Sequence, residues 1–168
     1  MIHISDAYKN ISFLNKIEIK DNVIKVCTSG FFDPIHVGHI EYLELAKEFA
    51  DKISIFYGKQ SKLYVLVNTD NQAINKKGYC FMPMAERIKI VKSLKCVDDV
   101  KKVIDNDSTV CQTLLEFKPN FFVKGGDRIA NNIPEAKICD ELGVGLVYGL
   151  GDKIQSSSEL VKKMKEIK

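Results

Sequence analysis

Two of the chain's three histidines fall in one short string, Gly30-Phe31-Phe32-Asp33-Pro34-Ile35-His36-Val37-Gly38-His39. Imidazoles three residues apart at the start of a helix can project to the same side. Backbone amides there lack helical partners and the dipole is positive, so the place favours a phosphate. Gly38 removes a side chain between the rings and allows a ligand close to the backbone. The chemistry such a pair offers is hydrogen-bond donation to a phosphoryl group while its negative charge grows. An isolated pair at this spacing is more often two surface or capping histidines. This one follows a short β-branched strand and opens a helix, where open α/β sheets bind ligands.

The elements that must position these residues alternate along the chain. Val23–Thr28 is a buried strand ended by Ser29-Gly30, and Ile40, Leu43, Ala46 and Phe49/Ala50 then recur at helical spacing. Leu63–Asn68 is a second strand. Pro83 opens a helix with an apolar face of Met84, Ile88, Val91 and Leu94. Val100–Ile104 is a short strand, and Ser108 or Thr109 can cap a helix running to Phe117. Phe121–Val123 is a strand leading into Gly125-Gly126. Pro134–Leu142 is a helix stopped by Gly143, Gly145–Tyr148 is a strand, and Ser156-Ser157-Ser158 precedes a last helix. This order predicts an α/β fold with about five parallel strands and helices on both faces. Residues 1–22 read as an N-terminal extension with one helix over Tyr8–Lys16, and residues 23–168 as a single domain. Ile53–Lys62 is open among an extra strand, a hairpin arm and a helix extension.

Composition narrows the class. At 168 residues, 45% hydrophobic and 28% charged, the chain is an ordinary globular domain. A net charge of +3 is too weak to indicate a nucleic-acid partner. Of 25 basic residues only Arg87 and Arg128 are arginines, so a single lysine carries little information. The five cysteines are dispersed without a CxxC pair, as in a reduced cytoplasmic protein, and their spacing does not suit zinc. No apolar run approaches the ~18 residues that span a bilayer. The opening residues lack the basic and apolar regions of a secretory signal. A cytoplasmic protein without a membrane partner is expected.

The string at Gly30, Phe32, Asp33, His36, Gly38 and His39 resembles the HxGH signature of the nucleotidyltransferase superfamily that includes the cytidylyltransferases. Asn75-Lys76-Lys77-Gly78 resembles that family's mobile basic loop, and Met84-Ala85-Glu86-Arg87 its E-x-R-type helix start. Phe122-Val123-Lys124-Gly125-Gly126-Asp127 is similar to the V-K-G-G-D run of the adenylyltransferase domain of bacterial ADP-heptose synthase. Gln155-Ser156-Ser157-Ser158 resembles the Ser/Thr run before the final helix. Together these cover residues 23–168. The chain departs from the family where an Arg often precedes that run, offering Lys153, and in the Ile53–Lys62 stretch.

The resemblance implies a Rossmann-like doubly wound sheet and attack of a substrate phosphate on the α-phosphorus of a nucleoside triphosphate. A phosphate monoester is mostly ionised at pH 7, its second pKa being about 6, so alignment and charge stabilisation matter more than a general base. By resemblance, His36 and His39 donate to the α-phosphate, and Lys77 or Lys76 closes over the phosphates. Ser156, Ser157 and Ser158 hold the β- and γ-phosphates, and Gly30, Phe31, Phe32 and Gly38 frame the nucleotide. Gly125 and Gly126 let the backbone approach it, and Asp127 meets ribose or base. Arg87 is either a phosphate fork or a structural ion-pair partner, Asp33 can brace the histidine loop, and the serines can be a plain cap. No protein-held metal is implied; Mg²⁺ arrives with the triphosphate. The substrates implied are ATP and a sugar 1-phosphate such as heptose 1-phosphate, in a homodimer. The alternatives are a CTP-dependent enzyme making a CDP-alcohol from glycerol 3-phosphate or phosphoethanolamine, and a nucleotide-binding module without turnover.

Overall fold

A computed structural model describes residues 1–7, 10–126, 133–152 and 154–166. The chain runs β1 (Ile2–His3), α1 (Ile4–Ala7), α2 (Ile11–Asn15), β2 (Val23–Gly30), α3 (Val37–Tyr57), β3 (Gln60–Val67), α4 (Asp70–Lys77) and α5 (Met84–Lys92). It continues through β4 (Asp99–Lys102), α6 (Cys111–Phe117), β5 (Phe121–Gly125), α7 (Ala136–Leu142), β6 (Gly145–Leu150) and α8 (Ser157–Glu166). Six strands form one sheet in the order β1-β6-β5-β2-β3-β4, with every pair parallel. No helix among the described residues is long and apolar enough to cross a membrane.

Parallel strands covered on both sides need apolar residues on both faces. Phe121 and Phe122 show this directly: adjacent in sequence, they point to opposite faces and enter separate cores. Ile24, Val26, Phe121 and Val123 pack with Phe49, Ala50 and Ile53 of α3. Cys27, Leu66, Phe122 and Leu146 pack with Leu114 of α6 and Cys139 of α7. A third cluster sets Phe32, Leu43, Val65 and Val67 against Val91 of α5.

The sheet has one strand more than expected. Ile2 and His3 pair with Val147 and Tyr148 at the edge of β6, and Ala7 and Leu14 are buried in the α3 core. A two-residue strand carries no readable periodicity, which is why the pattern missed it. The single helix expected over Tyr8–Lys16 is replaced by Ile11–Asn15, capped by the Asn10 side chain on the Phe13 amide, while residues 8 and 9 lie outside the described residues. Ile53–Lys62 resolves as a helix extension to Tyr57, a left-handed Gly58 (φ 62°), and an early start of β3 at Gln60. The cap expected from Ser108 or Thr109 is shared: Thr109 Oγ1 takes the Cys111 amide, and the buried Asp105 carboxylate takes those of Gln112 and Thr113.

The strand order contains the switch that positions the site. From β2 the chain moves outward through β3 and β4, then returns to the other side of β2 for β5 and β6. Backbone pairing between β2 and β5 is limited to Val26/Phe121 and Cys27/Phe122. Beyond it, side chains bridge the strands: Thr28 Oγ1 and Tyr42 OH donate to the Val123 carbonyl at 3.0 and 2.9 Å. Ligands bind at such a reversal, outside the carboxyl ends of the strands.

Candidate active site

A cleft of about 320 Å³ lies at this reversal, between the ends of β2 and β5 and the starts of α3 and α8. Gly30, Phe31, His36, Gly38, His39, Lys76, Lys77, Gly125, Gly126 and Ser156–Ser158, all singled out in the sequence, line it together. His36 is the extended residue before α3 (φ −150°, ψ 172°), and the amides of His39 and Ile40 close the first turn on its carbonyl. Ser156 caps α8 in the same way, its Oγ taking the Glu159 amide at 3.1 Å. Two helix N-termini therefore face one cleft, each with unpartnered amides and the positive end of its dipole.

The two imidazoles stack, with centroids 3.8 Å apart and planes 22° apart. The His36 amide donates to His39 Nδ1 at 3.3 Å, so the neutral His39 ring carries its proton on Nε2, where it can be donated. Burial, then the neighbouring His36 and Lys77 charges, pushes His39 down to about 3. His36 is lowered by burial and by Lys77. Both rings are thus neutral donors at pH 7. His36 Nδ1 is buried without a hydrogen-bond partner among the described residues, which is unusual outside a ligand site.

Each glycine is explained by what stands next to it. A Cβ at Gly38 would meet the His36 ring at 3.2 Å, and one at Gly30 would meet the Phe32 ring at 2.8 Å. At Gly126 it would lie 1.5 Å from the Gly151 carbonyl oxygen. The close approach expected between Gly126 and a nucleotide is therefore, in the structure, an approach of two protein backbones.

Several expectations are corrected. Phe32 lines no part of the cleft; it is 1% exposed and packs under His39, with centroids 5.0 Å apart. Arg87 is wholly buried and is no phosphate fork. Its Nε donates to Met82 O, its Nη1 to Phe31 O and Asn68 O, and its Nη2 to the Asp70 carboxylate at 2.5 Å. Lys76 and Lys77 sit on the last turn of α4, not on a loop. Thr69 and Gln72 form a capping box, each side chain taking the other's amide (3.1 and 3.0 Å), and Gly78 closes the helix at φ 80°. The Thr-Asp-Asn-Gln spacing at 69–72 was the signal for this helix. Burial lowers Lys77, whose Nζ donates to the Asp33 carbonyl at 2.9 Å. Both lysine ammoniums lie near the Phe31 ring, at 4.9 and 5.2 Å.

Asp33 braces the histidine loop, its fully buried carboxylate taking the amides of Phe81 and Met82. Ser157 ties α8 to that loop, donating to Pro34 O at 2.9 Å. Asp127 and Lys153 lie outside the described residues. Tyr42 and Lys124 also line the cleft and were not singled out. Tyr42 stands three residues beyond His39 on α3, on the same helical face. Lys124 is inside the quoted V-K-G-G-D run.

The cleft offers imidazoles, ammoniums, hydroxyls and amides, with Asp152 its single carboxylate among the described residues. No group of three or more His, Cys, Asp or Glu among them could hold a metal. This donor set does not fit a metal held by the protein; it fits a polyanion.

Fold and site together define an α/β phosphate-binding domain with a histidine pair at its sheet reversal. The cytidylyltransferase-like family model matches residues 27–158, and the chain belongs to that family. It is 35% identical over 120 residues to the bifunctional protein HldE of Streptomyces coelicolor, covering 70% of this chain and 23% of that one. It is 26% identical over 149 residues to the FAD synthase of Thermoplasma volcanium, covering 86% of this chain and 96% of that one. The chain spans about a quarter of the length of the HldE proteins it matches. Among solved structures, a lipopolysaccharide core biosynthesis protein from Thermoplasma volcanium superposes with a TM-score of 0.60 at 27% identity. That match covers 77% of this chain and 98% of the other.

Proposed function

We propose that the chain transfers a nucleotidyl group from a nucleoside triphosphate, ATP by preference, to a phosphorylated small molecule such as a sugar 1-phosphate, releasing pyrophosphate. The observation that carries this reading is the convergence of two helix N-termini on a stacked, neutral histidine pair. An acceptor phosphate oxygen attacks the α-phosphorus and forms a new P–O bond. The bond from that phosphorus to the oxygen bridging to the β-phosphate breaks, and pyrophosphate leaves with the electron pair. No proton need be removed from a monoester already ionised at pH 7. His39, through Nε2–H, and His36 donate to the α-phosphate as its charge grows. The α8 amides with Ser156 and Ser158 receive the β- and γ-phosphates, and Lys76 and Lys77 supply charge from the opposite wall. Mg²⁺ enters as part of the triphosphate substrate, held by phosphate oxygens and water.

The preference for ATP and a sugar 1-phosphate is supported by the Val123–Asp127 run and by the HldE relatives. The cytidylyltransferase-like match supports the second reading, CTP with a phosphorylated alcohol. We place the activity in the cytoplasm, consistent with five unpaired cysteines. We expect a homodimer, supported by Ile55 and Phe56 on α3, which are 82% and 43% exposed.

Pyrophosphate release, measured with each of the four triphosphates against sugar 1-phosphates, glycerol 3-phosphate and phosphoethanolamine, tests the proposal. Release with ATP and a sugar 1-phosphate is expected. Release with CTP and an alcohol phosphate alone moves the assignment to the second reading. Tight nucleotide binding with no release from any pair makes the chain a binding module.

A further inference from the structure

A second cavity, of about 470 Å³, adjoins the cleft on the other side of Phe31. The two share Ser29, Gly30, Phe31, Lys76 and Lys124, so their occupants would meet at the end of β2. The volume falls in the range of small-molecule sites, roughly 300–1,000 Å³.

Glu135 lines this second cavity and is 4% exposed. Its Oε1 takes the Val110 amide at 3.3 Å. Its Oε2 is buried with no hydrogen bond among the described residues, the nearest cation being Lys124 Nζ at 3.6 Å. A buried carboxylate oxygen without a donor is costly, so a native structure normally supplies one. Lys124 Nζ stands at the junction of the cavities, 3.0 Å from Ser29 Oγ. The cavity's mouth is polar, with Asn75, Asp107 and Ser108 on it, and Phe31 is its single aromatic among the described residues. A flat heteroaromatic acceptor needs stacking faces that this lining does not offer. A compact polyol finds acceptors for its hydroxyls.

Building on the nucleotidyl transfer proposed above, we infer that this cavity is the acceptor subsite and takes a small polyhydroxylated phosphate monoester. Its phosphate lies at the junction between Lys124 and Lys76, facing the α-phosphorus held by His36 and His39. One of its hydroxyls donates to Glu135 Oε2. Lys124 aligns the attacking phosphate, and Glu135 selects for the polyol and holds Lys124 in place.

The test compares wild type with Glu135→Gln and Ser108→Trp, in both turnover and equilibrium binding. Ligands are ATP, CTP, glucose 1-phosphate, mannose 1-phosphate, ribose 1-phosphate, glycerol 3-phosphate and FMN. Ser108 is exposed at the cavity mouth, so its variant blocks entry without disturbing the core should Glu135→Gln fold poorly. Each variant is expected to raise the acceptor KM at least tenfold and leave the triphosphate KM within twofold. Unchanged acceptor KM in both variants overturns the inference, as does an equal rise in triphosphate KM, which would put the base in this cavity. Wild-type turnover of FMN, with none of the sugar or glycerol phosphates, also overturns it. If wild type turns over nothing, the reading of the reaction fails, and the cavity is judged on binding: sugar phosphate binding that Ser108→Trp abolishes upholds the subsite, and none removes it.

Discussion

Two imidazoles stacked at 3.8 Å are tolerable only while both are uncharged. Burial and the neighbouring Lys77 keep them so, and the same neighbours concentrate positive potential where a phosphate would lie. His39→Ala is expected to lower kcat by a hundredfold or more, the cost of one well-aimed transition-state donor, with nucleotide affinity little changed. Equal losses in rate and affinity would assign the ring to ground-state binding. The depressed pKa has a second consequence. Between about 6.5 and 3 the unfolded chain binds a proton at residue 39 and the folded chain does not, so this group makes stability fall as pH falls through that window. His39→Gln is therefore expected to lose less of its neutral-pH melting temperature at pH 5 than wild type. An identical acid sensitivity would show that the ring is not held neutral by the fold.

At the scale of elements, α4 and α5 decide what the basic residues do. The capping box on Thr69 and Gln72 starts α4, which carries Lys76 and Lys77 onto the cleft wall. Arg87, on α5, is one helical turn beyond Pro83 and reaches back to the ends of β2 and β3, joining Phe31 O and Asn68 O. It is a clamp beneath the site. Arg87→Met leaves those carbonyls and the Asp70 carboxylate without their donor, and is expected to cost about 3 kcal/mol of stability, or a melting temperature roughly 6–12 °C lower. Lys77→Ala, by contrast, should lower turnover while changing the melting temperature little. Calorimetry beside a pyrophosphate assay separates the two; a wild-type melting temperature in Arg87→Met with a lost rate would restore the phosphate-fork role.

Across the whole molecule, the reversal of strand order between β2 and β5 makes one end of the sheet a ligand site. The far end of α3 serves another purpose. There Ile55 and Phe56 stand exposed beside Leu14, around an apolar depression. Ile55→Glu is expected to turn a dimer into a monomer by light scattering, with turnover per chain retained, because this patch lies away from the cleft lining. A wild-type monomer would assign the patch no role in assembly.

The local code was largely readable in one dimension: β-branched runs for β2, β3 and β5, Gly143 ending α7, and a histidine pair opening a helix after a strand. These depend on residues a few positions apart, so spacing determines them. The tertiary structure decided what each polar group touches. Arg87 and the Phe31 carbonyl are 56 residues apart in sequence and 2.8 Å apart in space, and a basic residue near a phosphate motif looks the same on paper whether it clamps backbone or binds ligand. The edge strand at Ile2–His3 and the backbone contact at Gly126 were hidden for the same reason. Burial and partner choice arise from long-range packing, which no window of sequence contains.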